Sequence, residues 1–148
     1  MAERWWSAPM QGEHGKTVMV SGRDEMDRII AKGRHVFLVK VSWRYNANSE
    51  GYPDEIDAEL MGRVNDALEE TFHKDNAAYM VAIFTGEGCR DWLFYTTSLP
   101  IFGKIFNRAL EPIEETIPFE IEAQSDPEWE EYQEMKRLTY IPPDEDED

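Results

Sequence analysis

Residues 35–45 read HVFLVKVSWRY. Phe37, Val39, Val41, Trp43 and Tyr45 fall on one side, and Lys40, Ser42 and Arg44 are among the residues opposite. That period of two marks a half-buried strand, predicted here over 36–45. Downstream, NANSEGYP supplies a loop, and Pro53 is expected to open a helix over 53–73. Its apolar stripe comprises Ile56, Leu60, Met61, Val64, Ala67, Leu68 and Phe72, with acidic and basic residues on the wet side. The runs AAYMVAIF and CRDWLFYT flank a short glycine-containing turn and predict a hairpin with strands 78–85 and 89–96. A second helix is expected over 98–110, offering Ile101, Phe102, Ile105, Phe106, Ala109 and Leu110 to a core. IPFEIEA then alternates Ile117, Phe119 and Ile121 with Pro118, Glu120 and Glu122. This predicts a half-exposed edge strand over 117–123, its edge guarded by proline and glutamate.

Strand, helix, strand, strand, helix, strand is the order of a ferredoxin-like sandwich, an α+β fold in which two helices cover one face of an antiparallel sheet. The hairpin's first run is apolar on both sides, so the second face needs cover as well. Lys16 to Ser21 reads as a strand, and Asp24 to Lys32 as a short helix stopped by Gly33. Near the other end, SDPEWEEYQEMKRL (125–138) places Trp129, Tyr132, Met135 and Leu138 in one stripe, with Asp126 as N-cap and Pro127 at the first helical position. The N-terminal strand and this C-terminal helix are the expected cover. Trp5 and Trp6 fit either a docking patch or a plug at a core edge. The organisation expected is one α+β domain over 1–138 and an acidic, disordered tail over 139–148.

The formal charge of −16 is unevenly placed. From Glu111 onward fifteen acidic residues face only Lys136 and Arg137, a net of −13, whereas the first 110 residues net −3. Such a surface repels nucleic acid and anionic lipid and speeds encounter with a basic partner. The lone Cys89 allows no internal disulfide, the first residues lack the pattern of a signal peptide, and the apolar run 77–84 is too short to span a bilayer. A cytoplasmic, membrane-free setting is expected.

Little in the sequence points to chemistry. His14, His35 and His73 are far apart, and Glu70 with His73 makes a single Glu-x-x-His pair where carboxylate-bridged metal sites need two. Cys89 beside Arg90 is a candidate for a lowered thiol pKa, but it also suits an ordinary strand position. TGEGCRD lacks the spacing of a phosphate loop. Trp92, Phe94 and Tyr95 offer a base-stacking platform that the acidic charge disfavours. No cofactor, metal ligand or catalytic residue is assigned.

HGKTVMV, VSWRY, GYP, FTGEGCRDWLFY and DPEWEEY, in that order, resemble the bacterial domain of unknown function 695 family from about Trp5 to Met135. Trp43, Tyr45, Gly51, Pro53, Arg90, Trp92, Tyr95, Asp126, Pro127, Trp129 and Tyr132 match its motifs, mostly as core, turn or cap residues. The resemblance implies a fold and a cytoplasmic setting, and no activity. DPEWEEY is also similar to the end of regulator of ribonuclease activity B, an acidic ferredoxin-like protein that binds and inhibits a ribonuclease. Two functional classes follow from the residues. One is a non-catalytic binding or regulatory domain whose acidic surface, Glu128, Glu130, Glu131 and Glu134, meets a basic protein. The other is an enzyme with a site assembled from Arg44, Arg90, Tyr95 and His73. The absence of a catalytic motif favours the first.

Overall fold

The alternation at 35–45 becomes strand β3 (Phe37–Arg44), an interior strand of a six-stranded sheet. A computed structural model describes residues 3–74 and 76–143; the expected acidic end at 144–148 lies outside the described residues. The other elements are β1 (Trp5–Gln11), β2 (Thr17–Arg23), α1 (Asp27–Lys32), α2 (Glu55–His73), β4 (Ala78–Gly86), β5 (Cys89–Thr96), α3 (Leu99–Leu110), β6 (Glu120–Ser125) and α4 (Glu130–Thr139). The fold is α+β, and the sheet runs β1-β2-β4-β5-β3-β6 with every neighbouring pair antiparallel. No described helix is long and apolar enough to cross a membrane.

Helices α2 and α3 lie on one face. Met61, Val64, Leu68 and Phe72 of α2 and Phe102, Ile105, Phe106 and Ala109 of α3 bury against Val39, Val41, Trp43, Trp92 and Phe94. Fully burying an aliphatic or phenyl side chain stabilises by roughly 1.5–3 kcal/mol, so this one cluster supplies a large share of the driving force. Two details differ from the sequence reading. Pro53 precedes the helix, because Asp54 is the N-cap and accepts the Asp57 N–H at 2.9 Å. Ile56, five residues before the first buried residue, Met61, remains 80% exposed.

The turn of the β4–β5 hairpin is Glu87-Gly88, both at positive φ, the backbone that matches strand twist in a two-residue connection. Glu87 tolerates this conformation while its carboxylate accepts the His14 and Lys16 N–H groups at 2.8 and 3.2 Å, tying the hairpin to the β1–β2 loop.

The expected N-terminal strand does not lie over the second face. It is β2, and it extends the sheet by pairing with β4, while Trp5–Gln11 adds a strand that the sequence reading missed. Trp6, Ala8 and Met10 alternate inward along β1, interrupted by nothing except Pro9 at an edge where proline is tolerated. Gly22 lies opposite Trp6, and a Cβ there would meet the indole at 2.2 Å, so glycine lets the ring lie flat on β2. Cover for the second face comes from α4 and from the start of α1. Met26, the N-cap of α1, and Trp129, Tyr132 and Met135 join Trp6, Val20, Leu38, Val81, Ala82, Leu93 and Tyr95 in a second cluster, with Ile29 and Ile30 of α1 partly buried against it.

The edge strand also starts late. Ile117 and Phe119 pack against the first cluster from an irregular segment, and the ladder with β3 spans only 120–125, every residue of it exposed. Pro118 therefore precedes the strand and guards none of its edge.

Candidate functional site

The acidic stretch that opens α4 is placed by a buried carboxylate. Asp126 accepts the Tyr95 hydroxyl at 2.6 Å and the Glu130 and Glu131 N–H groups at 2.9 and 3.2 Å. It satisfies two of the helix's first free donors from three residues before the cap, so the sequence reading had the capping residue right and the cap position wrong. Pro127 is consequently outside the helix. Trp129 is the N-cap itself, at φ 56° and ψ 42°. That left-handed conformation costs a bulky residue roughly 1–2 kcal/mol, and here it turns the indole into the core. The indole stacks on Tyr95 with centroids 4.0 Å apart and planes 5° apart, and Nε1–H donates to the His35 carbonyl at 2.8 Å.

Further along, the Tyr132 hydroxyl donates to the Arg23 carbonyl, and Trp6 Nε1–H donates to Thr139 Oγ1 at 2.9 Å. Thr139 rather than Leu138 completes the buried stripe; Leu138 is 54% exposed. Tyr140 packs edge-on against Trp6, so the chain stays attached past position 138. Asp24 gathers this end. It accepts from Arg4, from the Glu25 N–H at 2.8 Å and from the Tyr140 hydroxyl at 2.9 Å, with Lys136 Nζ at 3.9 Å. Burial alone would raise the Asp24 carboxyl, but these donors outweigh it and hold the group below the usual carboxylate range. Burial, then Asp126, pushes the Tyr95 hydroxyl far up, so it remains a donor.

With α4 fixed this way, Glu128, Glu130, Glu131 and Glu134 all face outward. Glu134 is neutralised by Arg137, at 2.6 Å, which holds its carboxyl low. Glu128, Glu130 and Glu131 have no ion pair among the described residues. Beside them, a groove of about 400 Å³ lies between α4 and the β3–β6 edge, lined by Leu38, Lys40, Glu122, Ala123, Gln124 and Glu131. It continues, through the shared Lys40 and Glu122, into a wider polar groove of about 510 Å³ over the half of the sheet that α4 leaves open.

The wider groove holds Ser42, Arg44, Cys89, Asp91 and Glu120. Ser42 Oγ donates to Asp91 Oδ1 at 2.6 Å, the Cys89 thiol donates to the same oxygen at 3.4 Å, and Arg44 faces Glu120 at 3.5 Å. Burial and the adjacent Asp91 push the Cys89 thiol up to about 11, opposite to the lowering considered from its neighbour Arg90. A thiol held protonated is a poor nucleophile. Arg90 lies on the other face of β5, its guanidinium donating to Asn65 Oδ1 at 3.0 Å and stacking over Trp92, and burial lowers its pKa.

The four residues considered for a scattered enzyme site are not brought together. Arg44 and Tyr95 share a face but stand at opposite ends of the β3–β5 ladder, opposite Cys89 and Leu38 respectively. Six residues of strand separate them, about 20 Å. Arg90 is on the α2 side, and His73, at the end of α2, meets Glu3 at 2.7 Å while Glu70 meets Lys74. Among the described residues no group of three or more His, Cys, Asp or Glu is arranged to hold a metal ion. Sequence reasoning missed Asp24 as an anchor and Lys40 with Glu122 as the centre of the groove. The period-two face of residues 35–45 already placed Lys40 opposite the core, which was the available signal.

Compared with known proteins, the chain matches the model described as "Family of unknown function (DUF695)" over residues 6–135, and it belongs to that family. No curated protein and no solved structure matches it.

Proposed function

We propose that this DUF695 member is a non-catalytic binding or regulatory domain that engages a basic protein partner through the acidic surface beside α4. The observation carrying this reading is that α4 docks on its own sheet through Trp129 and Tyr132, leaving Glu128, Glu130 and Glu131 outward and without ion pairs among the described residues. Carboxylates clustered at the start of a docked helix, Glu128 just before it and Glu130 and Glu131 in its first turn, steer a cationic partner and cost little reorganisation when it docks. The strand order β4-β5-β3-β6, with α2 and α3 on one face, supports a ferredoxin-like core within the larger sheet. A cytoplasmic setting belongs to the same reading, since Cys89 is the lone cysteine of the sequence and has no second cysteine with which to form a disulfide.

The test is a pull-down with the whole chain at low and at raised salt, repeated with Glu128→Lys, Glu130→Lys and Glu131→Lys combined. A specific partner released by salt and lost by the variant supports the reading, because screening weakens contacts between exposed charges. A partner held equally at high salt and by the charge-reversed chain overturns it.

A further inference from the structure

We infer that the free edge of β6 is a strand-addition site for an extended, basic segment of a partner protein. This rests on the acidic-surface reading and names how the partner is held. The phase of the ladder decides which backbone groups are available. The Asp126 N–H donates to the Val36 carbonyl at 2.7 Å, directly continuing the register in which Phe37 faces Ser125. Hydrogen-bonded pairs alternate along an antiparallel ladder, so Glu120, Glu122 and Gln124 turn their backbone groups toward β3. Ile121, Ala123 and Ser125 turn theirs outward. Strand β6 pairs only with β3, all six of its residues are exposed, and no described hydrogen bond uses the outward groups.

Sheet edges are ordinarily blocked by proline, bulges, charges or a covering element. The opposite edge, β1, carries Pro9 inside the strand. Strand β6 has no proline, because Pro118 stops short of it, and its guard is Glu120 and Glu122 alone. Like charges repel a second copy of this acidic strand, yet they attract a basic one. Opposed residues share a face, so Glu120, Glu122 and Gln124 lie with Lys40 on the groove side, close to Glu131. Ile121, 51% exposed, and Ala123 lie on the α3 side. The segment that fits alternates Lys or Arg, toward the groove, with small or β-branched apolar residues toward Ile121.

The probe is a capped peptide of alternating Lys and Val, about eight residues long, an ordinary strand length. Valines opposite Ile121, Ala123 and Ser125 present their N–H groups to β6, so a second peptide is N-methylated at valine and a third carries Gln for Lys. With the isotope-labelled full chain, the first peptide should slow amide exchange at Ile121, Ala123 and Ser125 by about tenfold or more. The methylated and Gln peptides should not. Ala123→Pro, which removes an outward donor and spares the β3 ladder, should weaken the first peptide by about tenfold. Equal binding of the methylated peptide, with shifts confined to 128–134, overturns strand addition and leaves the acidic surface standing. Equal binding of the Gln peptide overturns the acidic surface as well, whereas absence of protection at Ile121, Ala123 and Ser125 at millimolar peptide overturns strand addition alone.

Discussion

The two faces of the sheet are held by different physics. Under α2 and α3 the contacts are mainly between side chains without hydrogen-bonding atoms, such as Val39, Val41, Leu68, Phe94, Phe102 and Ile105. Under α4 the large residues are Trp6, Tyr95, Trp129 and Tyr132, and each donates one hydrogen bond to a specific acceptor: Thr139, Asp126, the His35 carbonyl and the Arg23 carbonyl. The first face is fixed by apolar area and tolerates swaps that conserve volume. The second is fixed by area plus orientation, and it is sensitive to isosteres that drop a donor or an acceptor. Orientation is what the acidic surface needs, because the same polar handles decide which side of α4 faces out.

The largest break in that comparison is Trp129→Ala. It removes a buried indole, its stack on Tyr95 and its bond to His35, and should cost about 3–5 kcal/mol in denaturant unfolding. Phe94→Leu on the other face should cost about 1.5 kcal/mol or less. A Trp129→Ala midpoint equal to wild type would show that docking of α4 contributes nothing.

Asp126→Ala comes next, at about 2–3 kcal/mol. It removes a cap worth roughly 1 kcal/mol and leaves the Tyr95 hydroxyl buried without an acceptor. Tyr95→Phe in the same background should recover part of the loss, since no orphaned hydroxyl then remains. If the double change instead costs as much as the two separate changes added together, the Tyr95–Asp126 bond is not coupled to the cap.

A pH-dependent difference separates the faces further. Asp24 anchors the α4 side and is held below the carboxylate value of about 3.9 expected in an unfolded chain. A depressed folded pKa gives stability that is present above the unfolded value and lost as pH falls through the folded one. Asp24→Asn should therefore be less stable than wild type at neutral pH, and the gap should narrow as the buffer is taken below about pH 4. A gap that stays constant with pH would mean that Asp24 acts through packing alone.

How much of this was legible in the sequence follows the same division. Helical and strand periods report apolar area, so α2, α3, the β4–β5 hairpin and their shared face could be read from 36–110. Elements fixed by single polar contacts were read less well. Asp126 was recognised as a cap but placed too close to its helix, because its reach depends on Trp129 adopting a left-handed backbone. Strand β1 escaped notice because Pro9 argues against a strand unless the strand is known to lie at an edge. Ile117 and Phe119 alternate correctly yet belong to a packed loop, since two apolar residues at that spacing bury equally well outside a ladder. The acidic candidates Glu128, Glu130, Glu131 and Glu134 were legible as the wet side of one stripe; the placement of Glu131 beside Lys40 and Glu122 was not, because it depends on which edge β6 occupies.

The smallest effect tests the end of that stripe. By spacing, Leu138 continues Trp129, Tyr132 and Met135, yet it is largely exposed, and Thr139 takes the buried position. There its hydroxyl accepts from Trp6 and donates to the Met135 carbonyl at 2.8 Å. Thr139→Val keeps the shape and removes both roles, leaving the Trp6 N–H without its acceptor, so it should cost about 1–2 kcal/mol. Leu138→Ser removes more apolar surface from the chain, but from its wet side, and should change stability by no more than about 0.5 kcal/mol. The two urea midpoints, measured side by side, decide the matter. If Leu138→Ser is the more costly, hydrophobic period governs the end of α4; if Thr139→Val is, a single hydrogen bond to Trp6 does.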